Sequence, residues 1–342
     1  DENMSFEEYF CRNLLKKCVN ISVGDHDPLV YAHDKFVNFM HAQESKGLRV
    51  KALLETLDTS SDVGRVLCIA RDLLHEMFKD FQEYNVVPRY TGGATITLSK
   101  KDGASPFKRF NASEGADVLA QIAERRFSEG VTRYSFTDMS MPLKYGDATW
   151  HIVAGFVSKT WKEHRLIGFP PSAPLALQCG VGDWMTGRLH CVGIHIDTAQ
   201  EIHKRVARVA SLLSSHLMTL DQSNASDNIL RWLVKWLVPQ ELYDYLLDIT
   251  PSTIKMESGE TFQSVHMMAT AGNGYIFPLQ TAIFWALATA TCRVVGVKPE
   301  VYSYGDDLIA PCSIYNQLVK VFSVVGLQVN TEKTFLRNGI RE

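Results

Sequence analysis

Apolar positions recur at helical spacing in several parts of the chain. Ser5-Phe6-Glu7-Glu8 has the Ser-x-x-Glu form of a capping box, and the periodicity behind it predicts a helix to Val19. Val66, Ile69, Leu73, Leu74 and Met77 share one face of a second helix, predicted over residues 62–81. Residues 112–127 and 198–213 show the same amphipathic pattern. Further on, Ser226 or Asp227 is placed to cap a helix whose Leu230, Leu233, Val234 and Leu237 form a stripe before Pro239 stops it. The tight turn Gly272-Asn273-Gly274 opens a long apolar helix to about Val294, and Ile314 to Val325 predicts one more.

Between these segments lie short apolar runs bounded by turn residues. They predict strands at His216–Leu220, Val301–Tyr304, Leu308–Ala310 and Leu327–Asn330, with paired strands over residues 145–157 around Gly146 and Gly155. Only Gly305-Asp306-Asp307 separates the second run from the third, which is a hairpin signal. Lys159 to Pro174 is first basic and then proline-rich, and predicts an extended loop. There is no internal repeat. Strands mixed with helices, and a hairpin where a crossover would otherwise sit, predict an α+β fold with an antiparallel sheet.

Composition narrows the class further. In 342 residues, 46% are hydrophobic and 21% charged, which fits a globular chain and excludes a disordered or fibrous one. A net charge of −3 excludes a histone-like binder held by a global field. Seven cysteines without a Cys-x-x-Cys pair argue against a disulfide framework or a cysteine zinc site, and predict buried reduced thiols in a cytosolic protein. No signal-peptide pattern opens the sequence. The most apolar stretch, Tyr275 to Val297, carries Gln280, Thr281 and Arg293, so it reads as a buried core helix and not a membrane span. The chain starts at Asp1 and stops at Glu342 without a capping or polar tail signal, which predicts a fragment.

Candidate chemistry concentrates in the second half. Two adjacent carboxylates at a hairpin tip, Asp306 and Asp307, repel by about 4 kcal/mol at ~4 Å and an effective dielectric of 20. They need a cation or a proton, and all-oxygen ligands suit Mg²⁺ or Mn²⁺. Alone, the tripeptide reads better as a solvated turn. Asp221, at a strand end, and Asp227, at a helix start, add a second pair. For Asp227, helix capping is as good a reading as function. Gly272 and Asn273 lie in a turn whose glycines let another chain approach closely, and Lys333 follows a short strand.

The order and flanks of these four elements make the set specific. Residues 221–227 (DQSNASD), 268–284 (MATAGNGYIFPLQTAIF), 304–311 (YGDDLIAP) and 330–335 (NTEKTF) resemble motifs A to D of the RNA-dependent RNA polymerase of leviviruses, the single-stranded RNA phages. Residues 91–94, 106–110, 159–165 and 178–182 extend the resemblance upstream, so that it covers about residue 90 to the last residue. It implies a right-hand polymerase: fingers and an N-terminal helical region over residues 1–215, a palm on an antiparallel sheet over 216–342, and a thumb missing from this chain.

By the same resemblance, Asp221, Asp306 and Asp307 bind two Mg²⁺ (or Mn²⁺) ions, with Asp307 supporting the second. Asp227 and Asn273 sense the ribose 2′-hydroxyl, and Lys333 is the proton donor to pyrophosphate. Lys159, Lys162 and Arg165 hold the triphosphate. The implied activity is template-directed RNA synthesis from nucleoside triphosphates in the cytoplasm of a bacterial host, without a membrane. Host translation proteins are implied as replicase subunits, although no motif here signals their binding. Alternatives are a reverse transcriptase, which usually has a bulky gate near Asp227, and a non-catalytic RNA-binding fragment. Lys100, Lys101, Lys108, Arg109, Arg125, Arg126, Arg188, Lys204, Arg205 and Arg208 are candidate phosphate contacts, each equally readable as a solvated charge. Three departures from the family pattern, Phe169-Pro170-Pro171, Pro174 and His203, concern the nucleotide-access loop and the helix after it.

Overall fold

The computed structural model describes residues 5–18, 24–91, 94–96, 98–99, 101, 150–212 and 216–336. It opens with α1 (Phe6–Lys17), whose capping box forms as the sequence predicts: Ser5 Oγ accepts from Glu8 N at 3.2 Å, and Glu8 Oε2 accepts from Ser5 N at 3.0 Å. In α2 (Pro28–Glu55) the Asp27 carboxylate caps the first turn and proline takes the first helical position, where no amide is needed. Ser61 caps α3 (Asp62–Phe78), which ends three residues before its periodicity suggests. The expectations over residues 112–127 and 145–149 lie outside the described residues.

Two sheets follow. β1 (Ile152–Ser158) and β2 (His164–Phe169) form an antiparallel hairpin. β1 also runs parallel to β4 (Thr253–Met256), which pairs with β5 (Thr261–Gln263) in the order β2-β1-β4-β5. The second sheet is fully antiparallel, in the order β3 (Leu217–Leu220), β7 (Asp307–Pro311), β6 (Tyr302–Tyr304). The helices α4 (Ser172–Cys191), α5 (Ile196–Leu212), α6 (Arg231–Leu237), α7 (Gln240–Asp248), α8 (Ile276–Val295) and α9 (Tyr315–Val324) complete the set. The fold is therefore α+β with antiparallel pairing, as expected, plus one parallel contact between β1 and β4.

The principal core takes Leu67 and Leu74 from α3, Val181 and Met185 from α4, Leu233 from α6 and Phe322 from α9, and so draws on both sides of residue 215. α8 runs through it: from Ile276 to Cys292 every residue except Phe277 and Trp285 is buried. This is the buried helix the apolar stretch predicts, and among the described residues no helix is long and apolar enough to cross a membrane. Phe36 and Met40 of α2 cover Ile152, Ala154, Ile254 and Met256 on the mixed sheet. Ala207 and Ala210 of α5 cover Leu217 and Ile309 on the other.

The structure corrects several expectations. Residues 159–174 are not an extended loop: they contain β2 and the start of α4. Pro171 precedes that helix and Pro174 lies in its first turn, where a missing amide costs nothing, so the prolines open a helix instead of excluding one. Ser172 through Gly182 are all buried, and a helix buried on every side shows no amphipathic stripe in sequence. Residues 327–330 form one isolated bridge, Val329 with Gln222, and no regular strand. No disulfide joins the cysteines, but Cys11 and Cys191 are exposed, so the thiols are not uniformly buried.

The turn before α8 is clamped from two sides. Gly168 at the end of β2 donates its amide to Ala271 O at 2.9 Å. A Cβ on Gly272, which has φ +106°, would stand 2.4 Å from Gly168 O. From the other side, Gly274 lies against Gln178 and Cys179 of α4, where an added Cβ would meet Cys179 N at 2.6 Å. Backbone meets backbone here, so neither partner can rotate away. Gly272→Ala should therefore lower stability by about 3 kcal/mol, combining a left-handed φ with the clash. Urea unfolding measures it, and a loss under about 1 kcal/mol would show that the β2 contact yields.

Candidate active site

The three-stranded sheet gathers the carboxylates. Leu220 pairs with Leu308, which sets Asp221, just past β3, beside Asp307 at the start of β7. Tyr304 pairs with Asp307 across the two-residue connection Gly305-Asp306. Gly305 has φ +62° at the first central position, where a type II′ turn requires glycine. A side chain there would also strike the Phe277 ring at 2.5 Å. α8 fixes this turn: Gly305 N donates to Thr281 Oγ1 at 2.9 Å, and Ser303 Oγ donates to Thr281 O at 3.0 Å.

Lys333 and Asn330 close the group. Lys333 Nζ lies 3.5 Å from Asp221 Oδ2. Asn330 donates its side-chain amide to the same oxygen and its backbone amide to Asp221 O, each at 2.9 Å. Burial raises the Asp221 carboxyl, as does the charge of Asp306, while Lys333 and the Asn330 hydrogen bond pull the other way. Asp307 is pushed up to about 6 by burial and then by the charges of Asp306 and Asp221. The chain thus collects more negative charge than its own lysine neutralises, on an all-oxygen donor set that fits Mg²⁺ or Mn²⁺.

A second group lies at the turn before α8. Asp227 Oδ1 accepts from Ala271 N at 3.2 Å. Asn273 accepts from Tyr275 N at 3.0 Å and donates its own amide to Thr270 O at 3.2 Å. Asp227 does not cap a helix: it belongs to a 3₁₀ turn, Ser226–Asn228, and α6 starts after Leu230 with no side-chain cap. The turn directs the carboxylate toward residue 271, and the hydrogen bond from Ser226 Oγ to Gln280 Oε1 at 3.2 Å ties it to α8. Gly272 serves the close approach to β2 described above.

The basic residues are placed apart from the carboxylates. Lys159 Nζ sits 3.0 Å from Glu163, which also binds Lys35 of α2 at 2.7 Å. Lys162 offers its carbonyl to His26 Nε2 at 2.6 Å, and Arg165 faces Val157 in the β1–β2 register. Arg165 lies three residues, about 10 Å of strand, from the Gly168–Ala271 junction. Of the wider basic set, Arg188 is committed to Met77 O and Asp80, and Lys204 to Glu201. Lys100, Lys108, Arg109, Arg125 and Arg126 lie outside the described residues. Among the departures, His203 packs its ring on the edges of Tyr302 and Tyr304, and burial pushes its pKa down to about 4.

Sequence reasoning missed Asn330, Thr281 and Gln280 as holders of the site. Only Asn330 left a signal: its Oδ1 accepts from Glu332 N at 3.2 Å, a side-chain turn that Asn-x-Glu invites. Burial pushes Asp227 up to about 6, offset in part by the Ala271 amide. A carboxylate raised above its unfolded value binds its proton more tightly when folded, so stability falls as pH rises from about 4 to 6. Asp227→Asn should match the native chain below pH 4 and be more stable above pH 6. Urea midpoints across that range test this; a constant difference would show that Asp227 has the same pKa folded and unfolded.

Comparison with known proteins identifies the family. The family model described as RNA replicase, beta-chain, matches residues 1–342. The chain is 32% identical over 345 aligned residues to the RNA-directed RNA polymerase subunit beta of Escherichia virus Qbeta, covering 98% of this chain and 55% of that one. Against the RNA-directed RNA polymerase beta chain of Enterobacteria phage GA the identity is 33%, covering 83% and 53%. With that of Escherichia phage MS2 it is 37% over 54% of this chain and 33% of that one. The chain spans about half the length of the curated relatives it matches most fully. The RNA-dependent RNA polymerase of a human picorbirnavirus aligns with 97% of this chain and 72% of its own at 13% identity and a TM-score of 0.44, too distant to carry an argument. The full-length family match and the replicase relatives place the resemblance of residues 221–335 on firm ground: the chain belongs to the RNA replicase beta-chain family of the RNA phages.

Proposed function

We propose that this chain forms the fingers (residues 1–215) and palm (216–342) of an RNA-dependent RNA polymerase that copies an RNA template from nucleoside triphosphates. The observation that carries the reading is the gathering of Asp221, Asp307 and Lys333 at one end of an antiparallel sheet, with Asp306 on the adjoining turn. Asp221, Asp306 and Asp307 would hold two Mg²⁺ or Mn²⁺ ions, which when bound supply charge neutralisation to the attacking hydroxyl and the triphosphate. Asp227 and Asn273, one on each side of the turn before α8, read the ribose 2′-hydroxyl. Lys159, Lys162 and Arg165 hold the triphosphate.

In the reaction a 3′-hydroxyl oxygen bonds to the α-phosphorus, the bond to the bridging oxygen breaks, and pyrophosphate leaves. Lys333, whose side chain is 66% exposed and ion-paired with Asp221, can swing to give its proton to that leaving group. Asn330 holds Asp221 by two hydrogen bonds and so fixes where its free oxygen points. The family's relatives are named as subunits, which supports further chains in the working replicase; host translation proteins, in the cytoplasm of the bacterial host, are the proposed source.

Asp306→Asn combined with Asp307→Asn should cut nucleotide incorporation by about 10³-fold or more, the loss of roughly 4 kcal/mol of transition-state stabilisation. Primer extension with purified protein and unchanged circular dichroism checks it, and unaltered incorporation would sink the assignment. Asn330→Ala should instead raise the Mg²⁺ concentration needed for half-maximal rate while leaving the melting temperature within a few degrees. If the rate falls with no change in Mg²⁺ demand, Asn330 does not orient Asp221.

A further inference from the structure

Away from the carboxylates, the turn between α4 and α5 brings together His190, His195 and Asp197. One ligand atom from each lies within 4.8 Å of the other two, and all three side chains are exposed. The imidazoles of His190 and His195 lie with centroids 4.7 Å apart and planes tilted by 36°, and His190 Nε2 lies 4.0 Å from Asp197 Oδ1. Among the described residues this is the one such group of three histidine, cysteine or acidic ligand atoms.

The backbone holds the three positions in place. Gly193, at φ +84°, ends α4 with its amide on His190 O at 3.0 Å, and Ile194 N returns to Leu189 O at 3.0 Å. The His195 carbonyl accepts from Thr198 N at 3.1 Å and Ala199 N at 2.7 Å, which starts α5. Leu189, Ile194 and Ala199 are buried under the turn and anchor it. A histidine in the last turn of α4 and an aspartate in the first turn of α5 each suit a helix dipole, but that does not account for the His195 ring lying 4.7 Å from that of His190.

We propose that His190, His195 and Asp197 form a binding site for a borderline transition-metal ion such as Zn²⁺. Two imidazole nitrogens and one carboxylate oxygen are the ligand types of three-residue zinc sites, which leave a fourth position to water. They are a poor set for Mg²⁺, so the site is chemically distinct from the aspartates of the sheet. Tetrahedral ligands at about 2.0–2.1 Å from the metal stand about 3.3 Å apart, so exposed side chains need to close by about 1 Å. Cys191 is not part of the set: its thiol turns back to Gly187 O at 3.6 Å. Because the ligands are His-x₄-His-x-Asp across a helix turn, cysteine spacing gave no hint of them.

The site lies at a mechanical junction. α4 presses Gln178 and Cys179 against Gly274, and α5 carries His203, about 12 Å along the helix from His195, onto Tyr302 and Tyr304. A metal joining the ends of the two helices would fix the backing of the Gly305-Asp306-Asp307 hairpin relative to the turn before α8.

Cobalt(II) is the probe, because its visible absorption reports both binding and coordination. The wild-type chain and the Asp306→Asn/Asp307→Asn chain should each bind one Co²⁺ per molecule at this site, with intense tetrahedral absorption that Zn²⁺ removes. His190→Ala and His195→Ala should weaken that binding at least tenfold, Asp197→Asn should weaken it less, and Cys191→Ser should leave it alone. Zn²⁺ should raise the melting temperature of the wild type and not of the histidine variants. Saturable absorption that persists undiminished in both histidine variants, or a titration with no tetrahedral absorption in the wild type, would overturn the proposal.

Discussion

The site depends on one side chain in a buried helix. Thr281 lies in the second turn of α8, where its hydroxyl donates to Phe277 O at 2.8 Å and accepts from Gly305 N at 2.9 Å. Its own carbonyl takes the Ser303 hydroxyl. The β6 side of the hairpin turn is therefore tied at two points to a helix that the core immobilises. Gln280, one residue earlier, does the same for the turn that carries Asp227. A buried polar pair in an otherwise apolar helix is costly unless it is satisfied, and here it is satisfied by the segments that bear the carboxylates. Position is thereby transmitted from the core to the chemistry with little freedom left in between.

The carboxylates themselves are not arranged for stability. Burial raises Asp221, Asp227 and Asp307, and the last two are pushed up to about 6. A chain selected only to fold would place such groups in water or beside a matched cation. Lys333 is the matched cation for Asp221 alone, and Ala271 offers Asp227 only a backbone amide. Unrelieved negative charge held by an otherwise consistent fold is characteristic of a functional site.

Much of this was legible in sequence, for definite reasons. Helices with one wet face, such as α3 and α5, showed their period, and the hairpin announced itself because Gly305 is demanded by the turn. What stayed hidden was α4, whose first half is buried on all sides and opened by prolines that read as loop formers. The role of Asp227 was left open because a residue before a helix is a cap by default, and only the intervening 3₁₀ turn redirects it. Thr281 was invisible as a site holder, and Asn330 showed only its local turn, because the site partners lie 24 and 109 residues away in the chain. Local pattern predicts local structure, and these contacts are not local.

Strand β2 shows how the two proposed halves of the molecule are coupled. One end lies in the basic hairpin, where Glu163 is shared by Lys35 and Lys159 and held by both below its usual range although burial opposes them. The other end delivers Gly168 to Ala271 and lies under Gly272. The strand is about 20 Å long and paired to β1 along its whole length, so it behaves as a strut. A displacement of the lysines is then felt at the turn that carries Asn273, and through the Ala271 amide at Asp227. Glu163 keeps the two lysines in register at that end of the strand. The close glycine contacts at its far end follow from the same need: a strut transmits force only if its foot cannot slide.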